Sequence, residues 1–149
     1  MFRVGIGYDS HRFVPDRPFI LGGQRIAFDQ GLEAYSDGDA VAHAVTDAIL
    51  GAAGAGDLGA MFPDNDPNWK DADSLHLLRL ARERINQMGF HPVQADVTII
   101  CERPHLGVYK QAMAPEQLAT ALQEKWYATG NYHTLYFGEI VATYVDDLA

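Results

Sequence analysis

The period of hydrophobic and polar positions changes several times along the chain, and each change marks an element. From Met1 to Tyr8, Val4 and Ile6 alternate with Arg3, Gly5 and Gly7. That is the period of a half-buried strand, with glycines that let other backbone or a ligand approach closely. Phe19-Ile20-Leu21 and Gln24-Arg25-Ile26 flank Gly22-Gly23, which predicts a short hairpin. Val41, Val45, Ala48 and Ile49 then recur at helical spacing, predicting a helix from Asp39 to Ala53 that Gly51, Gly54 and Gly56 bring to an end.

A second helix is predicted from the Asp73-Ser74 cap to Met88, stopping at Gly89, with Leu77, Leu78, Ala81, Ile85 and Met88 facing inward. Between the two helices, Gly56 to Pro67 reads as a polar loop. Ala95 to Cys101 reads as a central strand. Pro115 suits the first turn of a third helix carrying Leu118, Leu122 and Trp126 inward, and Tyr132 to Val145 reads as one or two strands. No repeat, low-complexity tract or linker interrupts this order. Residues 1–149 are therefore expected to form a single domain: an α+β two-layer sandwich, with a mixed β-sheet and helices on one face.

Composition narrows the function classes. A 48% hydrophobic fraction fits a folded globular chain. With 20 acidic against 11 basic side chains the net charge is −9, the wrong sign for a protein that grips a nucleic-acid backbone. The run from Arg79 to Arg84 is broken by Glu83 and reads as a solvated helix face. An acidic chain binds an anion only through local devices: a metal ion, helix N-termini and backbone amides. The single cysteine, Cys101, excludes an internal disulfide and suits a reducing compartment. With no signal-like N-terminus and no apolar run long enough to span a bilayer, a cytoplasmic protein without membrane or nucleic-acid partners is expected.

The candidate chemistry begins at Asp9 and His11. Two apart on the predicted strand, they leave it on the same face. His43 lies about one turn inside the first predicted helix, just after Ser36-Asp37-Gly38-Asp39. Asp/His/His supplies three ligands and leaves a position open, the pattern of catalytic rather than structural zinc. Asp47, one turn beyond His43, is expected either to accept a hydrogen bond from an imidazole or to be solvated. The Gly56–Pro67 loop suits a turn whose amides face a ligand, with Asp57 able to accept from ribose hydroxyls; the plainer alternative is an Asx/Pro surface turn. Phe62 is too apolar for a pure surface loop and suggests packing or ligand covering. Ile100 to Gly107 leaves the predicted strand with backbone groups that could read a base edge. Cys101 has no basic neighbour to lower its pKa, so a nucleophilic role is not expected. His76, His91 and His133 are assigned structural or surface roles.

Taken together, Gly7-Tyr8-Asp9-Ser10-His11, Leu21-Gly22-Gly23, Ser36-Asp37-Gly38-Asp39, His43-Ala44-Val45-Thr46-Asp47-Ala48, Gly56-Asp57-Leu58-Gly59, Phe62-Pro63-Asp64-Asn65-Asp66 and Asp71-Ala72-Asp73-Ser74 closely resemble the 2-C-methyl-D-erythritol 2,4-cyclodiphosphate synthase family of the non-mevalonate isoprenoid pathway. The resemblance runs from Arg3 to about Gly107. It implies a homotrimer with active sites between subunits, and the substrate 4-diphosphocytidyl-2-C-methyl-D-erythritol 2-phosphate. The 2-phosphate attacks the β-phosphorus, and CMP leaves. By the same resemblance Asp9, His11 and His43 hold Zn2+, and a second divalent cation (Mg2+ or Mn2+) sits with the diphosphate. Ser10 and Ser36 lie against substrate. Asp57, Leu58 and Gly59 meet ribose or erythritol, and Phe62, Pro63, Asp64, Asn65 and Asp66 line the erythritol pocket. Cys101, Glu102, Arg103, Pro104, His105, Leu106 and Gly107 cradle cytosine.

The chain departs from the family pattern in three places. Tyr35 stands where the family has the histidine that assists the transition state, and a phenol carries no positive charge near neutral pH. Arg103-Pro104-His105 stands where the family has Ala-Pro-Lys. Beyond Lys110 the family's Thr-Thr-x-Glu-Lys-Leu-Gly segment has no evident counterpart and the chain reads as shortened; Glu124-Lys125 is a candidate remnant of it, and Glu139 a candidate match to the family's late Gly-Glu-Gly. These departures keep alternatives open: a divergent homologue that binds zinc and a nucleotide or phosphate without turnover, or a zinc hydrolase of another phosphate ester. A structural zinc protein would want a fourth protein ligand.

Overall fold

The structure is a computed structural model and describes residues 3–93, 95–113 and 141–142. Its element order is β1 (Phe13–Pro15), β2 (Phe19–Leu21), β3 (Gln24–Ile26), β4 (Gln30–Leu32), α1 (Ala40–Ala53), α2 (Leu58–Met61), a 3-10 turn (Pro67–Trp69), α3 (Ser74–Gln87), β5 (Thr98–Ile99), α4 (Lys110–Met113) and β6 (Val141–Ala142). The class is α+β, as expected. The predicted hairpin forms, with β2 antiparallel to β3 and Phe19 opposite Ile26. β1 runs antiparallel to β4, with Phe13 opposite Leu32, and β5 pairs in parallel with β6. Among the described residues the sheet is therefore three two-stranded pieces rather than one continuous layer.

Both long helices start and stop where local chemistry directs. Asp39 caps α1 by accepting from the Ala42 N–H, and Gly54 closes it in the left-handed region at φ 69°, where a side chain would be strained. Asp73 caps α3 by accepting from the Leu75 and His76 N–H groups. The apolar stripes of the two helices then pack on each other: Val41, Val45 and Ile49 from α1, and Leu77, Leu78, Ala81 and Ile85 from α3, join Phe19, Leu21, Ile26 and Leu32 of the strands in one core. Each fully buried side chain such as Leu78 contributes about 1.5–3 kcal/mol. Met88 departs from expectation: it falls after the last turn of α3 and is 37% exposed.

Three other expectations need correction. Arg3 to Tyr8 forms no strand; the segment instead lies against the flank of α1. A Cβ on Gly7 would come 1.8 Å from the Ala44 carbonyl oxygen, and one on Gly5 2.0 Å from that of Ala48. The glycines thus serve the close backbone approach expected of them, against a helix rather than a neighbouring strand. The expected central strand over Ala95–Cys101 shrinks to Thr98–Ile99. Gly56–Pro67 is not simply a loop, because Asp57 nucleates the single-turn helix α2. The expected helix after Pro115, and most of the Tyr132–Val145 stretch, lie outside the described residues.

Candidate metal centre

Asp9 and His11 sit just before β1, and β1 carries them to the start of α1. Pairing with β4 continues one step further, through the Glu33 N–H and the Arg12 carbonyl at 3.0 Å. This brings the Glu33 carbonyl oxygen within 2.7 Å of His11 Nδ1. A carbonyl only accepts, so Nδ1 of His11 carries the proton and its Nε2 faces inward. From the other side, α1 delivers His43 one turn from its N-terminus. Asp39 holds that terminus against the hairpin by accepting the Gly22 N–H at 2.8 Å and the Gly23 N–H at 2.6 Å. Asp39 is fully buried, and burial pushes its carboxyl up despite these backbone donors.

The three predicted ligands converge. Asp9 Oδ2 lies 2.7 Å from His11 Nε2 and 3.0 Å from His43 Nδ1, and the two ring nitrogens are 3.2 Å apart. Zinc bonds near 2.0–2.1 Å in a tetrahedral site set donor atoms about 3.3 Å apart. The observed donors are spaced close to that, so the residues present fit a small dication. His43 is buried, and its other ring nitrogen, Nε2, meets the hydroxyls of Ser36 at 2.9 Å and Ser74 at 2.8 Å. Each imidazole is thus engaged on the side away from the shared point, as ligating histidines are.

The electrostatics follow from the same contacts. Burial opposes ionisation of Asp9, but the hydrogen bonds and charges of His11 and His43 outweigh it and hold the carboxyl well below its usual range. Burial also opposes charging His11; the Asp9 carboxylate and the Glu33 carbonyl overcome this and raise its pKa above 6.5. The same contacts favour the charged form of both Asp9 and His11.

A cavity of about 370 Å³ opens beside the cluster. Of the residues expected to touch substrate, Tyr35, Ser36, Leu58, Gly59, Phe62, Pro63 and Asp64 line it. Ala34, Trp69 and Leu77 line it too and were not foreseen. Phe62 is buried and packs edge-to-face on Trp69 with ring centroids 5.0 Å apart. A tryptophan beside Pro67 in a polar stretch was the available signal.

Other expected residues stand apart from this cavity. Ser10 is exposed and gives its N–H to Asp9 Oδ1 at 2.9 Å. Asp57 is exposed and caps α2 through the Ala60 N–H at 2.7 Å; Asp66 caps the 3-10 turn through the Asn68 N–H at 3.0 Å, and Asn65 is exposed. Among the described residues Asp47 meets no imidazole. It accepts the Leu58 N–H at 2.7 Å and so ties α1 to α2. None of Cys101, Glu102, Arg103, Pro104, His105, Leu106 and Gly107 lines the cavity. Burial pushes the Cys101 thiol up, and its sulfur donates to the Arg103 carbonyl at 2.9 Å. His91 pairs with Asn86 at 2.9 Å. Glu124, Glu139 and His133 lie outside the described residues. Among the described residues, no helix is long and apolar enough to cross a membrane.

Comparison with known proteins bears on the same residues. The YgbB family model matches residues 2–127. The 2-C-methyl-D-erythritol 2,4-cyclodiphosphate synthase of Salinibacter ruber is 55% identical over 104 residues, which is 70% of this chain and 66% of that protein. The synthase of Symbiobacterium thermophilum is 50% identical over 110 residues, 74% of this chain and 70% of that protein. The chain thus spans about two thirds of the length of these curated relatives. Among solved structures, a CDP-bound form of the synthase superposes with a TM-score of 0.73 at 41% identity, covering 80% of this chain and 79% of that one. On the matched family model, the identity and the shared fold, the chain belongs to the YgbB family, alongside the 2-C-methyl-D-erythritol 2,4-cyclodiphosphate synthases.

Proposed function

We propose that this chain converts 4-diphosphocytidyl-2-C-methyl-D-erythritol 2-phosphate to 2-C-methyl-D-erythritol 2,4-cyclodiphosphate with release of CMP. The observation that carries the reading is the convergence of Asp9 Oδ2, His11 Nε2 and His43 Nδ1 at the mouth of a cavity walled by Tyr35, Ser36 and the Leu58–Asp64 stretch. The reaction is a phosphorus–oxygen lyase step. A 2-phosphate oxygen forms a bond to the β-phosphorus, the bond from that phosphorus to the α–β bridging oxygen breaks, and CMP departs with the electron pair.

Nucleophile and electrophile belong to one molecule, so the protein has no covalent work to do. Its task is to fold the substrate back on itself and neutralise crowded oxygens. Asp9, His11 and His43 would hold Zn2+, and a second divalent cation, Mg2+ or Mn2+, would accompany the diphosphate; bound cations supply charge neutralisation that a chain of net charge −9 otherwise lacks. Ser10 and Ser36 meet phosphate oxygens. Tyr35 donates one hydrogen bond where a histidine would bring charge. Asp57, Leu58 and Gly59 meet ribose or erythritol hydroxyls, Phe62 to Asp66 enclose the erythritol carbons, and Cys101 to Gly107 receive cytosine. Glu124 is the candidate for the diphosphate end, and Glu139 is a further candidate site residue.

In this reading the chain is one two-layer domain that works in the cytoplasm as a homotrimer, with each cytosine loop serving a neighbour's cavity. Two features support assembly. The cytosine loop stands apart from its own cavity, and Val4, Ile6 and Val108 are 90%, 82% and 84% exposed. Apolar side chains bared to that degree suit a protein interface.

The test is incubation of the metal-loaded protein with the cytidine diphosphate substrate, following phosphorus resonances. CMP together with a cyclic diphosphate is expected. CMP with a linear product would mean hydrolysis, and zinc binding without CMP would mean a binding protein. His43→Ala is expected to lose both bound zinc and CMP release.

A further inference from the structure

The Asp71-Ala72-Asp73-Ser74 motif has so far supplied only a helix cap, yet its last residue touches a metal ligand. Ser74 is 1% exposed, and its hydroxyl lies 2.8 Å from His43 Nε2. The same hydroxyl donates to Asp37 Oδ1 in a short hydrogen bond. A carboxylate oxygen only accepts, and a serine has one hydroxyl proton to give. That proton goes to Asp37, so the Ser74 oxygen can only accept from His43. Nε2 of His43 must then carry a proton, so Nδ1, 3.0 Å from Asp9 Oδ2, is the ring nitrogen whose lone pair a cation would take. Ser36 does not disturb this polarity. Its Oγ lies 2.9 Å from His43 Nε2 and 3.3 Å from the Ser74 oxygen, so it can share the ring proton and give its own to Ser74.

Asp37 is itself fixed. Its Oδ1 accepts the Asp39 N–H at 3.1 Å, and its Oδ2 accepts the Ser74 N–H at 3.2 Å. Two backbone bonds bring its segment alongside the start of α3: Asp37 N–H to the Ala72 carbonyl at 3.0 Å, and Asp71 N–H to the Tyr35 carbonyl at 2.8 Å. The N-termini of α1 and α3 are thereby locked together around one imidazole. We infer that Asp37, acting through Ser74, is a positioning residue that fixes the tautomer and ring orientation of His43 and so presents Nδ1 to the cation.

The inference rests on the reading of Asp9, His11 and His43 as a metal site, and its test separates the two. Nitrogen-15 imidazole spectra of the metal-free protein at about pH 8.5 read the tautomer directly, and chelator competition reads zinc affinity. The wild-type protein is expected to show His43 protonated on Nε2. Ser74→Ala removes the acceptor, and Asp37→Asn can turn a donor toward Ser74 and reverse the polarity. Both are expected to raise the Nδ1-protonated fraction and to weaken zinc binding about 10- to 100-fold with circular dichroism unchanged. A wild-type His43 with no proton on Nε2 overturns the inference even if both variants fail to fold. So does wild-type zinc affinity in folded Asp37→Asn and Ser74→Ala proteins. If the wild-type protein binds no zinc, the metal reading falls, and the tautomer spectra alone then decide the relay.

Discussion

Asp47 Oδ1 accepts the Leu58 backbone N–H at 2.7 Å, a bond that fastens the wall of the cavity to α1 one turn beyond His43. Asp47→Ala leaves that donor without its acceptor, a loss of about 1–2 kcal/mol. The Leu58–Gly59 wall should then loosen while the metal ligands stay in place. The expected result is a KM raised about tenfold, since ~1.4 kcal/mol is a factor of ten, with zinc stoichiometry unchanged. Burial pushes the Asp47 carboxyl up, so its charge costs the fold something, and Asp47→Asn, which keeps an acceptor, should behave almost as wild type. Steady-state kinetics and metal analysis on the two variants check this; an unaltered KM in Asp47→Ala would show that the wall stands without the bond.

The metal-free and metal-loaded proteins should respond to pH in opposite senses. Burial alone would lower the pKa of His11, but Asp9 and the Glu33 carbonyl raise it above 6.5. A raised histidine contributes stability that is complete below its unfolded pKa and is lost as pH rises through the folded one. A cation, in contrast, needs the neutral ring, so its stabilisation grows over the same window. The melting temperature of zinc-loaded protein minus that of chelator-treated protein should therefore widen from about pH 6 to about pH 8. Scanning calorimetry measures it, and a constant difference would mean that His11 yields no proton to the metal.

What the residues alone could reveal divides along physical lines. α1 and α3 were legible because cap, stripe and stop are local: Asp39 and Asp73 precede the apolar repeats they start. Arg3–Tyr8 alternates like a strand, but alternation does not name what a segment packs against; in the structure its Gly5 and Gly7 lie against α1. The candidate ligands Asp9, His11 and His43 nevertheless converge, and the close approach of Gly7 to α1 helps to bring Asp9 to His43. Asp57 and Asp66 read as ligand groups, and in the structure each also caps the short turn that follows it, a role the residue type alone does not distinguish. The Ser74 contact was not legible at all. Ser74 and His43 are 31 residues apart, and the packing of α1 on α3 together with the bonds between the Tyr35–Asp37 and Asp71–Ala72 segments brings them together.

Gly7→Ala should damage the metal site without touching a ligand. The new Cβ would fall 1.8 Å from the Ala44 carbonyl oxygen, and helix backbone has no room to yield. The N-terminal segment must move away from α1, carrying Asp9 with it. Overpacking of this kind costs about 1–3 kcal/mol. Urea denaturation should show that loss, and chelator competition should show weaker zinc binding. A variant with wild-type zinc affinity would mean that Asp9 is positioned by β1 alone.

Tyr35→His tests whether the cavity is an enzyme working below the capacity of its fold. Tyr35 lines the cavity beside Ser36, and a phenol has one O–H to donate. A histidine there can add positive charge where oxygens crowd, and charge placed against a developing phosphate dianion acts mainly on the transition state. The expected signature is a rise in kcat of about tenfold, equivalent to ~1.4 kcal/mol, with KM little changed and zinc affinity unaltered. A kcat that stays put while KM falls would assign position 35 to substrate binding. A variant with no turnover, on a wild-type background that also has none, would favour the homologue that binds zinc and nucleotide without reacting them.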